Sequence, residues 1–225
     1  MQGKLFVIEG TDGSGKETQS KKLKERLDKL GIKYKDSRFP NYESESSALV
    51  KMYLAGEFGS DAKAISPYIA STFYAVDRYA TFKKDFEEFY NGGGILLLDR
   101  YTTANMVHQA GKIEDKQERA KFIEWLEDLE FNIYSLPKPN KVIFLNMPIE
   151  KSLELTEKRA NKITGEQTKD IHENDVGHLK DAYLAACELA KEKDWLEVSC
   201  VENGKLRTIE EIHEEIFEEI KKHIN

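Results

Sequence analysis

The sequence is poor in the residues that build disulfide frameworks, metal centres and membrane anchors. It has two cysteines, Cys187 and Cys200, in an expected helix and an expected strand, with no second pair and no metal-ligand spacing. A disulfide scaffold and a zinc site are therefore excluded, and both thiols are expected to be free and buried. The five histidines show no ligand spacing either, so no tightly bound metal is expected. No apolar stretch approaches the ~20 residues of a membrane-spanning helix. The chain runs from Met1-Gln2-Gly3-Lys4 into a short apolar segment with no signal core, and a cytoplasmic protein without a membrane partner is the expectation. Only five prolines and no low-complexity run occur, which excludes fibrous and disordered classes. The net charge of −7 argues against a phosphate-tracking surface for nucleic acid. Any phosphate ligand must then be held by local basic residues.

What is present fits one globular α/β domain over residues 1–225, with 40% hydrophobic and 33% charged residues. Short apolar runs at 5–8, 33–38, 95–98, 142–145 and 196–201 alternate with longer amphipathic ones, the pattern of strands joined by crossover helices around a mostly parallel sheet. The run Ile95-Leu96-Leu97-Leu98 lacks polar alternation and predicts an interior strand buried on both faces. A helix over 16–30 carries the stripe Leu23, Leu27 and Leu30 and ends at Gly31. Ser66-Pro67 predicts an N-cap and first turn for a helix running to Tyr90. The last helix should face the core through Ile209, Ile212, Ile216, Ile220 and Ile224. Residues 158–176 are rich in Lys, Asn, Thr, Asp and Glu and cannot bury themselves; they read as a mobile lid between two helices, or as a merely solvated loop.

Gly10-Thr11-Asp12-Gly13-Ser14-Gly15-Lys16 fits G-x-x-x-x-G-K between an expected strand and an expected helix. Glycines let backbone N–H groups converge on a phosphate, the helix amino terminus adds its dipole, and Lys16 supplies a point charge at the β- and γ-phosphates of ATP. The loop makes the expected architecture the three-layer fold of P-loop NTPases. Glu17 occupies the position where a Ser or Thr hydroxyl usually reaches Mg²⁺, so Thr18 or a water-mediated contact from Glu17 must substitute. Asp99, at the carboxyl end of a buried strand, is placed to hold Mg²⁺ or its water shell, and Arg100 to grip an acceptor phosphate. Magnesium should arrive with ATP.

These motifs, together with Arg38-Phe39-Pro40, Phe73-Tyr74-Ala75-Val76-Asp77-Arg78, Asp99-Arg100-Tyr101, Pro139-Asn140 and the basic lid, resemble those of the thymidylate kinases, bacterial type, over nearly the whole chain. The resemblance implies transfer of the γ-phosphate of ATP to dTMP, and a homodimer. It implies that Asp12 binds the acceptor 3′-hydroxyl, Tyr74 stacks on the base and Arg78 bonds its edge. Phe39 would line the base pocket, Arg100 hold the acceptor phosphate and Asn105 contact the base. His108 stands where the family usually has a tyrosine that packs on the sugar. The family's Phe-Pro-Arg is Phe39-Pro40-Asn41 here, with Arg38 as a stand-in for the missing arginine. With Gly13 where some members carry an arginine, the charge on the transferring group is expected from Arg159 in the lid, with Lys162 and Lys169 behind it, unless Arg159 pairs with Glu157 or Glu166. The alternatives are another nucleoside monophosphate kinase, a deoxynucleoside kinase, or a non-catalytic nucleotide-binding protein. For a guanine-reading switch, Asn140-Lys141 and Asn161-Lys162 both lack the Asp of Asn-Lys-x-Asp.

Overall fold

The computed structural model describes residues 2–59, 61, 64–160 and 176–224, excepting the side chains of 157–160, 176 and 178. Five strands, β1 (Lys4–Glu9), β2 (Tyr34–Arg38), β3 (Ile95–Asp99), β4 (Lys141–Asn146) and β5 (Leu196–Ser199), form one sheet in the order β2-β3-β1-β4-β5. All four pairings are parallel. Parallel neighbours need long crossovers, which lay helices on both faces of the sheet. β1 and β3 are apolar at successive positions, so alternate residues serve opposite layers. Leu5, Val7, Leu96 and Leu98 pack with Phe86, Phe122, Leu126 and Leu189 on one side. Phe6, Ile8, Leu97 and Ile143 pack with Leu23, Leu27, Ile212, Ile216 and Ile220 on the other. The register pairs Ile8 with Asp99 and Arg38 with Asp99, which brings the carboxyl ends of β1, β2 and β3 to one level.

Nine helices complete the described residues: α1 (Lys16–Lys29), α2 (Ala48–Leu54), α3 (Pro67–Thr81), α4 (Glu87–Asn91), α5 (Thr102–His108), α6 (Lys116–Glu127), α7 (Ile149–Ala160), α8 (Val176–Glu192) and α9 (Ile209–Ile224). A π-helical turn, Phe82–Phe86, joins α3 to α4, and a second, Asp128–Ile133, extends α6. Gly31 ends α1 with φ +69°, the left-handed geometry glycine adopts without a Cβ penalty. Among the described residues no helix is long and apolar enough to cross a membrane.

Five sequence expectations change in detail. Leu30, expected in the apolar stripe of the first helix, caps α1 and is exposed. Ser66 precedes Pro67 but its side chain makes no cap bond. The strand expected over 196–201 stops at Ser199, opposite Asn146, where its neighbour β4 ends; the Cys200 N–H makes the last bond to that strand, donating to the Asn146 carbonyl at 2.9 Å. Val201–Glu202 then pairs antiparallel with Lys205–Leu206 about Asn203-Gly204, both at positive φ, a type I′ hairpin signal. Cys200 is buried just beyond β5, whereas Cys187 in α8 is only half-buried; both are free. Ile209, expected to face the core, begins α9 largely exposed. Of the expected lid, 158–160 and Val176 are helical, while 161–175, including Lys162 and Lys169, lie outside the described residues, as does the Arg159 side chain.

Candidate active site

Gly10 to Gly15 turn the chain from β1 into α1, with Gly10, Gly13 and Gly15 all at positive φ. Lys16 folds back over the loop, its Nζ donating to the carbonyls of Gly10 at 2.8 Å and Thr11 at 3.0 Å. Burial, and then the charge of Arg100, push the Lys16 ammonium below its ordinary pKa. Thr11 Oγ1 and Ser14 Oγ are buried without a hydrogen-bond partner among the described residues. Buried hydroxyls of this kind are normally satisfied, and a phosphate cradled by the loop would satisfy them. The loop is held against α7 by Ser152 Oγ, which donates to the Asp12 carbonyl, while within the helix Thr156 Oγ1 donates to the Ser152 carbonyl at 2.9 Å. A Cβ on Gly13 would stand 2.6 Å from both Ser152 O and Thr156 Oγ1. That close approach accounts for glycine there.

Beside the loop, the carboxyl ends of β1 and β3 bring charged groups together. Arg100 follows β3 at φ +66°, and its Nη2 donates to Asp12 Oδ1 at 2.7 Å. Its Nη1 lies 2.6 Å from His108 Nε2. A guanidinium only donates, so Nε2 must accept, which puts the ring proton on Nδ1. Glu9, the last residue of β1, is buried; it accepts from the Gly10 N–H at 3.0 Å and Thr103 Oγ1 at 2.8 Å, and lies 4.0 Å from Arg100 Nη1. Burial raises the Glu9 carboxyl above its usual pKa. Burial alone would also raise Asp12, but Arg100 and Lys16 hold it well below the carboxylate range. The same carboxylates keep Arg100 firmly charged against its own desolvation.

The Asp99 Oδ1 atom is buried without a hydrogen-bond partner among the described residues, while Oδ2 lies 3.8 Å from Arg38 Nε. A hard, oxygen-seeking dication such as Mg²⁺ fits that carboxylate oxygen. Thr18 is half-buried and Glu17 exposed in the first turn of α1. Among the described residues no group of three or more His, Cys, Asp or Glu side chains is placed to hold a metal, so phosphate oxygens and water would complete the shell.

A cleft opens from this cluster, walled by Asp12, Arg38, Phe39, Tyr74, Arg78, Arg100, Asn105 and His108. Phe39 is buried against Tyr101, with ring centroids 6.2 Å apart. Tyr74 and Arg78, one turn apart on α3, face the same space. Phe73 turns instead into the cluster of Tyr53 and Phe58. Tyr53 also meets Tyr74 edge-on, with centroids 6.3 Å apart. Asn105 donates to the Ser71 carbonyl at 3.3 Å. Asn41 points away, its amide donating to Thr81 Oγ1 at 3.3 Å and its backbone N–H to Asp77 Oδ2 at 2.8 Å. Of the Arg38-Phe39-Pro40-Asn41 run, Arg38 is thus the side chain that brings positive charge to the cleft.

Motif reading did not single out Glu9, Glu130, Gln109 or Leu179. Glu9 carries the one available signal, a carboxylate ending an apolar strand immediately before the phosphate loop. Gln109 and Leu179 line the cleft from beyond α5 and from α8, and neither has a sequence mark.

A parallel sheet in this order, with a phosphate loop leaving its central strand and a cleft lined by arginines beside it, defines a P-loop kinase. The sequence model described as thymidylate kinase matches residues 8–216. The thymidylate kinase of Mycobacterium tuberculosis H37Rv is 29% identical over 186 residues, covering 82% of this chain and 79% of that protein. A "Probable thymidylate kinase" of Pyrococcus abyssi is 26% identical over 221 residues, covering 98% and 97%. The solved structure of a thymidylate kinase from Candida albicans superposes with a TM-score of 0.70 at 23% identity, covering 99% of this chain and 92% of that one, and shares its fold. The chain belongs to the thymidylate kinase family.

Proposed function

We propose that this chain transfers the γ-phosphate of ATP to dTMP, giving dTDP and ADP for dTTP synthesis. We place it in the cytoplasm, as a single 1–225 nucleoside monophosphate kinase domain acting as a homodimer. The observation that carries the reading is that Asp12 belongs both to the phosphate loop and to the wall of the cleft. Donor phosphates and acceptor sugar therefore meet at one residue. Positioning and charge neutralisation supply most phosphoryl-transfer catalysis, and this pocket is organised for both. Lys16 leaves the loop carbonyls to meet the β- and γ-phosphates. Asp12 accepts the acceptor 3′-hydroxyl, and Arg100, with Arg38 at the rim, draws the acceptor phosphate. Tyr74 and Phe39 flank the base, whose edge meets Arg78 and Asn105, while His108 walls the sugar. Asp99, with Thr18 as the alternative, would hold Mg²⁺, which neutralises phosphate charge when bound. Arg159, at the end of α7, supplies cationic charge to the transferring group. With Gly13 packed beneath α7, this lid-borne arginine supports the bacterial type of the family.

Arg100 beside Asp12 and Arg38 in the same cleft favour a phosphorylated acceptor over a free nucleoside. An ADP-release assay with dTMP, dUMP, dCMP, AMP and thymidine tests the reading. The expected result is highest kcat/KM on dTMP with strict dependence on ATP and Mg²⁺; turnover of thymidine or AMP without dTMP would overturn it.

A further inference from the structure

We infer that Glu130 is a specificity-positioning residue: it takes one edge of Arg78 and leaves Nη1 as the end free to meet the acceptor base. The inference rests on the dTMP reading and deepens it. Glu130 Oε2 accepts from Arg78 Nε at 2.7 Å and Oε1 from Arg78 Nη2 at 2.6 Å. Thr102 Oγ1 donates to the same Oε2 at 2.7 Å. The two charged side chains are 1% and 0% exposed. Three elements meet in this contact: α3, the first residue of α5, and the π-helical turn after α6 that carries Glu130. Such turns insert a residue and redirect side chains, often at functional sites.

Two consequences follow from the chemistry of the pair. A bidentate fork fixes the guanidinium plane as well as its position, and neither buried partner can leave without stranding a charge. The end outside the fork presents N–H donors and no acceptor, which matches a carbonyl oxygen on a base edge and rejects an exocyclic amine. Glu130 also neutralises Arg78 locally. The acceptor phosphate is then drawn to the other end of the cleft, where Arg100 pairs with the more exposed Asp12 and Arg38 is largely solvent-facing. The carboxylate thereby orients the acceptor end to end.

The test is steady-state kinetics of Glu130→Gln on dTMP and dCMP. Loss of the fork should raise KM for dTMP about tenfold with kcat within about threefold, and lower the dTMP-to-dCMP ratio of kcat/KM about tenfold. A merely structural role would lower the melting temperature and the active fraction but leave the ratio of two substrates unmoved. Arg78→Lys should move the ratio in the same direction, and the double variant should be no worse than the poorer single one. Thr102→Val removes one of the three hydrogen bonds and should raise KM about two- to threefold at unchanged kcat; it decides the matter if Glu130→Gln does not fold. Unchanged KM and ratio in a folded Glu130→Gln, or unchanged KM in Thr102→Val when that variant must decide, overturns the inference alone. A wild-type protein inert toward dTMP overturns the functional reading and the inference with it.

Discussion

Arg100 shows how much one residue depends on its surroundings. Its φ of +66° is uncommon for a non-glycine residue and costs of order 1 kcal/mol or more, a cost the surrounding contacts must offset. They are Asp12, His108 and, at longer range, Glu9, and they aim the guanidinium into the cleft beside the phosphate loop. His108 therefore both walls the cleft and holds Arg100. In the dTMP reading, a polar imidazole can pair with an added 2′-hydroxyl, whereas a tyrosine ring packed on the sugar excludes it. His108→Tyr is expected to raise the dUMP-to-UMP ratio of kcat/KM by roughly tenfold, with activity on dTMP changing less. Kinetics of both nucleotides on both proteins checks this, and an unchanged ratio would mean the residue does not read the sugar. At this scale the motifs marked every aromatic and arginine side chain named above in the cleft wall. Glu130 stayed hidden because a buried carboxylate is told from a solvated one by what packs around it, and Glu9 was marked only by its place between an apolar strand and the phosphate loop.

Among the elements, α7 and the phosphate loop are locked to one another, and two glycines separate the causes. Gly13→Ala combines positive φ, +78°, with a Cβ 2.6 Å from Ser152 O and Thr156 Oγ1. It should cost roughly 2–4 kcal/mol in stability and displace α7, lowering kcat. Gly15→Ala meets nothing within 4 Å and should cost about 1 kcal/mol from its backbone conformation alone. Thermal denaturation and kcat of both variants test the contrast, and equal effects would sink it. A second element contact, α1 against α9, holds a titrating group. His213 is buried with Nδ1 unpartnered among the described residues, ringed by Arg26, Lys22, Glu210 and Glu214. Burial and then Arg26 hold its pKa below the ordinary value of 6.5. The unfolded state therefore binds the extra proton first. The stability contributed by the neutral ring is present above pH 6.5 and is lost as pH falls through the depressed value. His213→Phe cannot charge, so denaturant titrations should show its stability relative to wild type constant above pH 7 and rising below pH 6, by up to about 1.4 kcal/mol per pH unit.

For the whole molecule, the proposed homodimer has a candidate face. On α3, Ile69, Val76 and Tyr79 are exposed; Tyr79 packs on Tyr134 with centroids 5.2 Å apart, and exposed Ile133 adjoins it. Ile69 and Val76, seven residues apart on α3, share one helix face, and the proposed dimer would bury it. Sedimentation should give twice the 25.9 kDa chain mass, and Val76→Asp should shift the protein to monomer; a dimer that survives the charge would move the interface elsewhere. The sequence alone determined the alternation of strands and helices, the interior β3 and the phosphate loop, because hydrophobic period and glycine placement are local properties of a chain. Only the tertiary structure decided the strand order, the turning of Asn41 toward Thr81 and of Arg38 toward the cleft, the seating of α7 on Gly13, and the Arg78–Glu130–Thr102 contact. Those depend on which residues, 28 to 140 positions apart in the chain, the parallel crossovers bring within hydrogen-bond reach, and no local pattern encodes that distance.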